Sequence, residues 1–241
     1  MFQKLLFIVI ILVIFVSGYF YFFVNGQTPE TENEIPQTHN EYIWQEVGED
    51  INLVQFDSKY SRQTAVIKTN IGSIKIALYP EKAPKACENF ITLSEEGFYN
   101  GLKFTEIIDD YYVKAGDPQD GTGGRSIWDK PFPNETDPEL WNFSGAVGMA
   151  SMERNKNGSQ FYIINAKSVD ERTVERMKQS KFPQKVINKY REVGGAPWLD
   201  GNHTVFGYVI SGMDVVDKIM GTNMTKDPVV IEEILIEKGE N

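Results

Sequence analysis

Cysteine and histidine, the usual ligands of structural zinc, are rare in this sequence of 241 residues. There is one cysteine, Cys87, and there are two histidines, His39 and His203. This set excludes an intramolecular disulfide and a structural zinc site of the usual Cys/His kind. Ser159 lies in Asn-Gly-Ser-Gln, not in the Gly-x-Ser-x-Gly motif of hydrolases. The GTGG run at 121–124 lacks the Gly-Lys-Ser/Thr of a phosphate-binding loop. We therefore expect neither a metal nor a cofactor.

Acidic residues outnumber basic residues by 34 to 24, which gives a formal net charge of −10. A chain with this charge lacks the general phosphate-neutralising surface of a nucleic-acid-binding protein. The acidic residues are concentrated in residues 25–58, which contain eight Asp or Glu and no Lys or Arg. We therefore expect no nucleic-acid partner.

The N-terminal part of the chain differs from the rest in composition. Residues 5–24 are uncharged and mostly apolar, and as a helix they would span about 30 Å, the thickness of the hydrocarbon core of a membrane. We predict a single-pass transmembrane anchor over residues 1–26, and Lys4 favours a cytoplasmic N-terminus with the domain outside the cytoplasm. A cleaved signal peptide, which would give a secreted protein, is the alternative. Residues 27–62 predict an acidic linker, and its later part, rich in apolar side chains over 42–56, is expected to pack on the domain.

From residue 63 onward the sequence mostly alternates between apolar and polar residues, which is the period of a β-strand. Residues 70–72 predict a hairpin turn, and Pro84 and Gly97 suit the start and end of a helix. Cys87 lies on the apolar stripe of that helix and is predicted to be a small buried hydrophobe. Many short strands with Gly and Pro turns favour a mainly β, closed antiparallel barrel.

Residues 167–193 break the strand pattern and predict a helical insertion. Ser168 and Glu171 have the spacing of a capping box, and Pro183 can start a second helix. Residues 167–191 hold eight bases and three acids. Two interpretations stay open: a solvated insertion, or a surface that contacts the acidic linker or anionic wall and membrane groups.

Six sequence segments carry a resemblance to a known family. They are KAPKACENF (82–90), GLKFTEII (101–108), AGDPQDGTGGRSI (115–127), VGMASM (147–152), NGSQFYI (157–163) and PWLDGNHTVFGYVISGMDVVDKI (197–219). In this order they resemble the cyclophilins, which are peptidyl-prolyl cis-trans isomerases. The resemblance implies a cyclophilin-like domain over 63–241, an eight-stranded antiparallel barrel capped by two helices, and an active site on an outer face. It also implies isomerisation without cofactor or metal.

The resemblance also implies a substrate site. An apolar socket for proline is expected from residues at the family's positions, namely Tyr111, Tyr112, Tyr162, Leu199 and His203. Further substrate-binding residues are expected at Gly121, Ala150, Ser151 and Trp198, with Ser151 in place of the usual Asn. Gln160 matches the family's backbone-binding glutamine and is expected to be catalytic. His203 is interpreted as an aromatic wall of the socket in preference to a general base.

Two polar positions differ from the family pattern. Glu106 stands where the family usually has the arginine that polarises the amide, and Lys114 stands where it usually has the glutamine that supports this arginine. If 103–108 and 111–116 form a hairpin with a three-residue turn, Glu106 and Lys114 lie opposite each other and can pair. Lysine is a point charge without the planar fork of arginine, so the exchange is not conservative.

Three hypotheses follow for the function. Lys114 can replace the arginine in a slow isomerase, or the socket and its remaining donors can isomerise alone. Alternatively, the domain is a catalytically weak or inactive module that binds proline peptides as a chaperone. In each case the expected partners are proline-containing peptides or unfolded extracytoplasmic proteins, together with a membrane through residues 5–24.

Overall fold

The computed structural model describes residues 48–57, 59–60, 63–119, 124–151 and 153–238. The anchor predicted at 1–26, residues 27–47 of the predicted linker (which include His39) and Gly121 lie outside the described residues. Within the ranges that are described, no helix has both the length and the apolar character needed to cross a membrane.

A single antiparallel sheet of eight strands forms the body of the described domain. The strands are β1 (Gln63–Thr69), β2 (Gly72–Leu78), β3 (Glu106–Ile108), β4 (Tyr112–Ala115), β5 (Ala146–Met149), β6 (Phe161–Ile164), β7 (Val205–Ser211) and β8 (Ile231–Lys238). Their order is β3-β4-β6-β5-β7-β2-β1-β8. Strands β1 and β2 form the predicted hairpin, in which Thr69 faces Gly72. The predicted mainly β, eight-stranded antiparallel fold is confirmed.

The predicted closure of the barrel is confirmed only in part, because the sheet is roughly a half-barrel. Among the described residues, β3 and β8 stand at opposite ends of the strand order and share no ladder. The chain just before β3 meets the start of β8 instead: the Phe104 N–H donates to the Val229 carbonyl (3.0 Å) and the Ile231 N–H to the Leu102 carbonyl (2.8 Å). Strand β3 has only three residues, which is too short to extend this contact into a full seam.

Two helices pack on the main core, α1 (Pro84–Glu95) and α4 (Met213–Met220). Helix α1 begins at the predicted proline, and its first N–H groups are capped from a distant loop: Glu135 accepts from the N–H of Lys85 (3.1 Å) and of Ala86 (2.9 Å). A carboxylate at this end of a helix satisfies otherwise unpaired donors. Cys87 is buried on α1, as predicted, and burial raises the pKa of its thiol to about 12.

The segment expected to form the insertion contains α2 (Glu171–Gln179) and α3 (Gln184–Val193). The predicted capping box is wrong, because Asp170 is the N-cap of α2 and accepts from the Thr173 N–H at 2.7 Å. Asp170 offers a carboxylate at the cap position itself, where its side chain reaches the first free N–H groups.

Residues 48–57 pack against this insertion in a second apolar cluster. Its buried members are Ile51, Leu53, Trp141, Phe143, Val174, Met177, Phe182, Val186, Ile187 and Tyr190. Polar contacts tie the two segments together: Glu49 accepts from the Gln184 N–H (2.9 Å), and Lys185 donates from Nζ to the Ile51 carbonyl (2.7 Å). One acidic residue of the predicted linker, Glu49, thus contacts the basic insertion directly.

Candidate active site

The outer face of the central strands carries the candidate site. Strands β5 and β6 are buried along their whole length. Alternate residues point to opposite faces of a sheet, so Phe161 and Ile163 enter the main core, whereas Tyr162 and Ile164 join a third cluster on the outer face. The local sequence of β6 therefore places Tyr162 on the outer face.

Three predicted site residues and one neighbouring glycine form a row across this face. The strand registers place Glu106 opposite Lys114, Lys114 opposite Tyr162, and Tyr162 opposite Gly148. The predicted pairing of Glu106 with Lys114 across a hairpin is confirmed. Gly148 leaves room for the Tyr162 ring, since a Cβ at residue 148 would lie 2.3 Å from the Tyr162 hydroxyl oxygen.

A cavity of about 170 Å³, here called the outer pocket, lies over this row. It is lined by Tyr111, Tyr112, Lys114, Ala150, Ser151, Gln160, Tyr162, Leu199 and His203. Nine of the predicted site residues are therefore brought together in one cavity. Trp198 supports its wall, because the indole Nε1–H donates to the Tyr111 hydroxyl at 2.8 Å. The predicted site residue Gly121 lies outside the described part of the chain.

Aromatic rings form most of the apolar wall of the outer pocket. The Tyr111 and Tyr112 rings have centroids 4.6 Å apart, and the His203 ring stands edge-on to Tyr162 at 6.2 Å. Burial lowers the pKa of His203 below its ordinary value, so the imidazole is neutral at neutral pH. An uncharged ring packed edge-on against another ring suits an apolar wall.

The polar end of the pocket is organised by the carboxylate of Glu106. One oxygen pairs with the Lys114 ammonium, and the other accepts a hydrogen bond from the Tyr112 hydroxyl at 2.9 Å. The hydrogen bond from Lys114 lowers the pKa of Glu106, so this carboxylate is ionised at neutral pH. Burial, together with the same carboxylate, raises the pKa of Tyr112. The pair is partly solvated, with the Lys114 and Glu106 side chains 22% and 38% exposed.

The opposite end of the pocket consists of polar backbone and amide groups. The Ala150 N–H donates to the Gln160 carbonyl at 2.9 Å, which fixes the two segments side by side. Ser151, predicted to offer its backbone, uses its hydroxyl to donate to the Glu153 carbonyl (2.9 Å). A second cavity of about 370 Å³ continues from here, sharing Ala150, Ser151 and Gln160 with the outer pocket.

Two supporting residues are absent from the sequence-based prediction. The Tyr162 hydroxyl donates to Asn142 Oδ1 at 2.7 Å, and the Asn142 amide donates to Asp200 at 2.8 Å. Both supports are buried. The one available signal is chemical: a tyrosine where the family usually has phenylalanine needs a partner for its hydroxyl when buried. No spacing rule identifies which residue that partner is.

The comparisons with known proteins agree with this arrangement. The family profile described as cyclophilin type peptidyl-prolyl cis-trans isomerase/CLD matches residues 64–241. A Staphylococcus saprophyticus protein named as a peptidyl-prolyl cis-trans isomerase is 38% identical over 176 residues, covering 73% of this chain and 89% of its own length. A Staphylococcus aureus protein of the same name is 37% identical over 173 residues, covering 71% and 88% respectively.

Solved structures give the same result. The crystal structure of a Cryptosporidium parvum cyclophilin type peptidyl-prolyl cis-trans isomerase superposes with a TM-score of 0.58 at 29% identity, covering 74% of this chain and 99% of that chain. A structure of the same protein in the presence of the dipeptide Ala-Pro gives a TM-score of 0.57. The profile match, the relatives and the shared fold lead to one conclusion: this chain belongs to the cyclophilin-type peptidyl-prolyl cis-trans isomerase family.

Proposed function

We propose that this chain catalyses rotation about the peptide bond before proline in extracytoplasmic proteins, with the outer pocket as its active site. The observation that carries this proposal is the composition of one cavity, in which an aromatic wall, Gln160 and the ammonium group of Lys114 come together. Family membership supports the reaction, and the dipeptide Ala-Pro named for the related structure contains the required bond.

The chemistry requires no proton transfer and no covalent intermediate. The barrier to rotation is about 18–20 kcal/mol because the C–N bond has partial double-bond character. An active site accelerates the reaction if it binds the twisted amide better than either planar form. The proline ring would lie against the wall of Tyr111, Tyr162 and Leu199, while Gln160 would hold the peptide backbone.

Lys114 is the group we assign to the electrostatic part of the reaction. Its ammonium lies at the edge of the outer pocket, on the strand next to Tyr162. A fixed donor aimed at the twisted amide stabilises the transition state more than the ground state. Glu106 is ionised and cannot donate, so its proposed role is to hold Lys114 and Tyr112 in place.

A second candidate function rests on the same ion pair. The Lys114 ammonium is already engaged by Glu106, which partly neutralises the charge that would act on the substrate. If this pairing persists when the peptide binds, the domain binds proline peptides without accelerating their isomerisation. It would then act as a chaperone or binding module.

The proposed location is the outer side of a membrane, with residues 5–24 as a single-pass anchor and the domain outside the cytoplasm. The uncharged length of this stretch and Lys4 before it support the proposal. N-terminal sequencing of the mature protein tests it. A start at Met1 with the protein in the membrane fraction is expected, whereas a start near Gln27 would indicate secretion after cleavage.

The isomerase proposal is tested with the full chain, purified in mild detergent. A protease-coupled assay measures isomerisation of a proline tetrapeptide, and titration calorimetry measures binding of the same peptide. Acceleration that rises with protein concentration supports the enzyme, and binding without acceleration supports the second candidate. If the chain neither binds the peptide nor accelerates its isomerisation, both candidates are rejected.

One matched pair of variants locates the activity. Leu199→Arg places a charge in the outer pocket and should abolish binding and isomerisation. Leu235→Arg makes the same change at an exposed leucine of β8 that does not line the outer pocket, and should leave both unchanged. Equal behaviour of the two variants would rule out the outer pocket as the site.

A further inference from the structure

A buried carboxylate lies behind the outer pocket without entering its wall. Asp200 Oδ1 accepts from both the backbone N–H and the side-chain amide of Asn142, each at 2.8 Å. Asp200 Oδ2 accepts from the hydroxyl of Tyr190 at 2.6 Å. Asp200 and Asn142 are 2% and 1% exposed, so these hydrogen bonds are shielded from water and break only at considerable cost.

Asn142 connects this carboxylate to the pocket wall. Its Oδ1 accepts from the Tyr162 hydroxyl at 2.7 Å, and its backbone carbonyl accepts from the Ala196 N–H at 2.8 Å. Because the amide nitrogen faces a carboxylate and the amide oxygen faces a hydroxyl donor, only one orientation of the side chain satisfies both. The position of Asn142 therefore fixes the position of the Tyr162 hydroxyl.

The other end of the connection belongs to the insertion. Tyr190 lies on α3, is wholly buried, and packs its ring 4.5 Å from that of Phe143. The continuous series Tyr190–Asp200–Asn142–Tyr162 thus runs from the second apolar cluster to the outer pocket. On its other side the Tyr162 ring meets Gly148, where even a Cβ would not fit.

We propose that Tyr190, Asp200 and Asn142 are positioning residues for the outer pocket, through which the helical insertion holds the Tyr162 ring in the pocket wall. This inference rests on the proposed function, because it assigns the ring to the binding of proline. A small displacement of a wall residue is costly in a site that works by orienting its substrate. Loss of the Tyr190 hydroxyl should therefore weaken peptide binding although Tyr190 does not line the pocket.

The test is a double-mutant cycle in the full chain with Tyr190→Phe and Tyr162→Phe. Both changes keep the ring and remove only a hydroxyl. Tyr190→Phe should lower kcat/KM for a proline tetrapeptide about three- to tenfold, mainly through a higher KM, because connected residues show coupling of this order. In the Tyr162→Phe background, where the connection is already broken, Tyr190→Phe should change kcat/KM by less than about twofold.

Ser94→Ala is the matched control. Its hydroxyl donates to the Phe90 carbonyl at 2.6 Å within α1 and is also buried, so it removes a buried hydroxyl donor away from the series. It should leave the kinetics unchanged, whatever its effect on the thermal midpoint. A purely structural role for Tyr190 would give the same result as Ser94→Ala.

The outcomes separate the inference from the function on which it rests. Wild-type kinetics in folded Tyr190→Phe, or additive losses in the double variant, would overturn the inference while leaving the isomerase proposal intact. If the wild type binds the peptide but does not accelerate isomerisation, the isomerase proposal fails, and the same cycle measured in peptide Kd decides the inference. If the wild type does not bind the peptide, both fail.

Discussion

Exchanging both members of the Glu106–Lys114 pair for the arginine and glutamine usual at these positions should raise isomerase activity. The perturbation is the double variant Glu106→Arg with Lys114→Gln. The two residues face each other on β3 and β4, so the new side chains can also meet across the hairpin. The variant removes the carboxylate from the polar end of the outer pocket and supplies a planar donor in place of a point charge.

The expected effects on stability and activity differ in size. The wild-type pair is 22% and 38% exposed, and pairs of this kind contribute about 0–1 kcal/mol to folding. The double variant should therefore unfold at nearly the same denaturant concentration. A preorganised donor is worth about 10²–10³ in kcat, and Lys114, partly neutralised by Glu106, would supply only a fraction of it. We expect kcat/KM to rise about tenfold or more, which corresponds to about 1.4 kcal/mol of transition-state stabilisation.

The assay is the protease-coupled isomerisation of a proline tetrapeptide, with urea unfolding as the check on folding. The chain offers a matched control in Lys68 and Glu233, which face each other on β1 and β8 and pair at 2.6 Å. Glu233→Arg with Lys68→Gln makes the same exchange away from the outer pocket and should leave kcat/KM unchanged. A folded Glu106→Arg, Lys114→Gln variant with wild-type kcat/KM would refute the assignment of the pair to the reaction.

Three further predictions concern Gly148, Asp200 and Glu135. Gly148→Ala puts a Cβ within 2.3 Å of the Tyr162 hydroxyl, and overpacking of this kind costs about 1–3 kcal/mol. Calorimetry should show peptide binding at least about tenfold weaker. Unchanged affinity would mean that the Tyr162 ring is free to move. Burial raises the pKa of Asp200 from its ordinary 3.8 to about 7, so between about pH 4 and pH 7 the folded state holds a proton on Asp200 that the unfolded state has already released, and the ionised carboxylate forms as the pH rises above this range. Stability should then fall as pH rises from about 4 to about 7, by up to about 4 kcal/mol, and urea titrations of Asp200→Asn should lack this slope; the same slope in the variant would assign it to another group. Glu135→Ala removes the carboxylate that caps α1 and should lower the free energy of unfolding by about 1 kcal/mol with kcat/KM unchanged, and an equal stability of the two proteins would show that the cap contributes nothing.

Much of the site was predictable because its residues lie in short, ordered segments. The alternation of β4 places Tyr112 and Lys114 on one face, and the short turn after β3 sets Glu106 opposite Lys114. Both are local consequences of strand period and hairpin length. The predicted closed barrel is confirmed only in part, because closure depends on how two distant strands meet. The three residues of β3 do not reach β8 as a ladder.

The capping of helices likewise separates what local sequence predicts from what the tertiary structure decides. A capping box at Ser168 and Glu171 fits the local pattern, but Asp170 takes the cap position once α2 begins at residue 171. The cap of α1 comes from Glu135, some 50 residues further along the chain. Spacing rules describe neighbours in sequence, whereas these caps depend on where a helix begins and on which loop crosses its end.

The sequence by itself determined the family, the strand period and the identity of the residues that line the outer pocket, since each depends on local order along the chain. The tertiary structure alone decided that Asn142 and Asp200 stand behind Tyr162 and that the insertion reaches them through Tyr190. A buried hydroxyl must find a partner, but which partner it finds depends on how β6, the loop at 142 and α3 pack together. That packing is set by burial of apolar surface across the whole domain, and no local pattern encodes it.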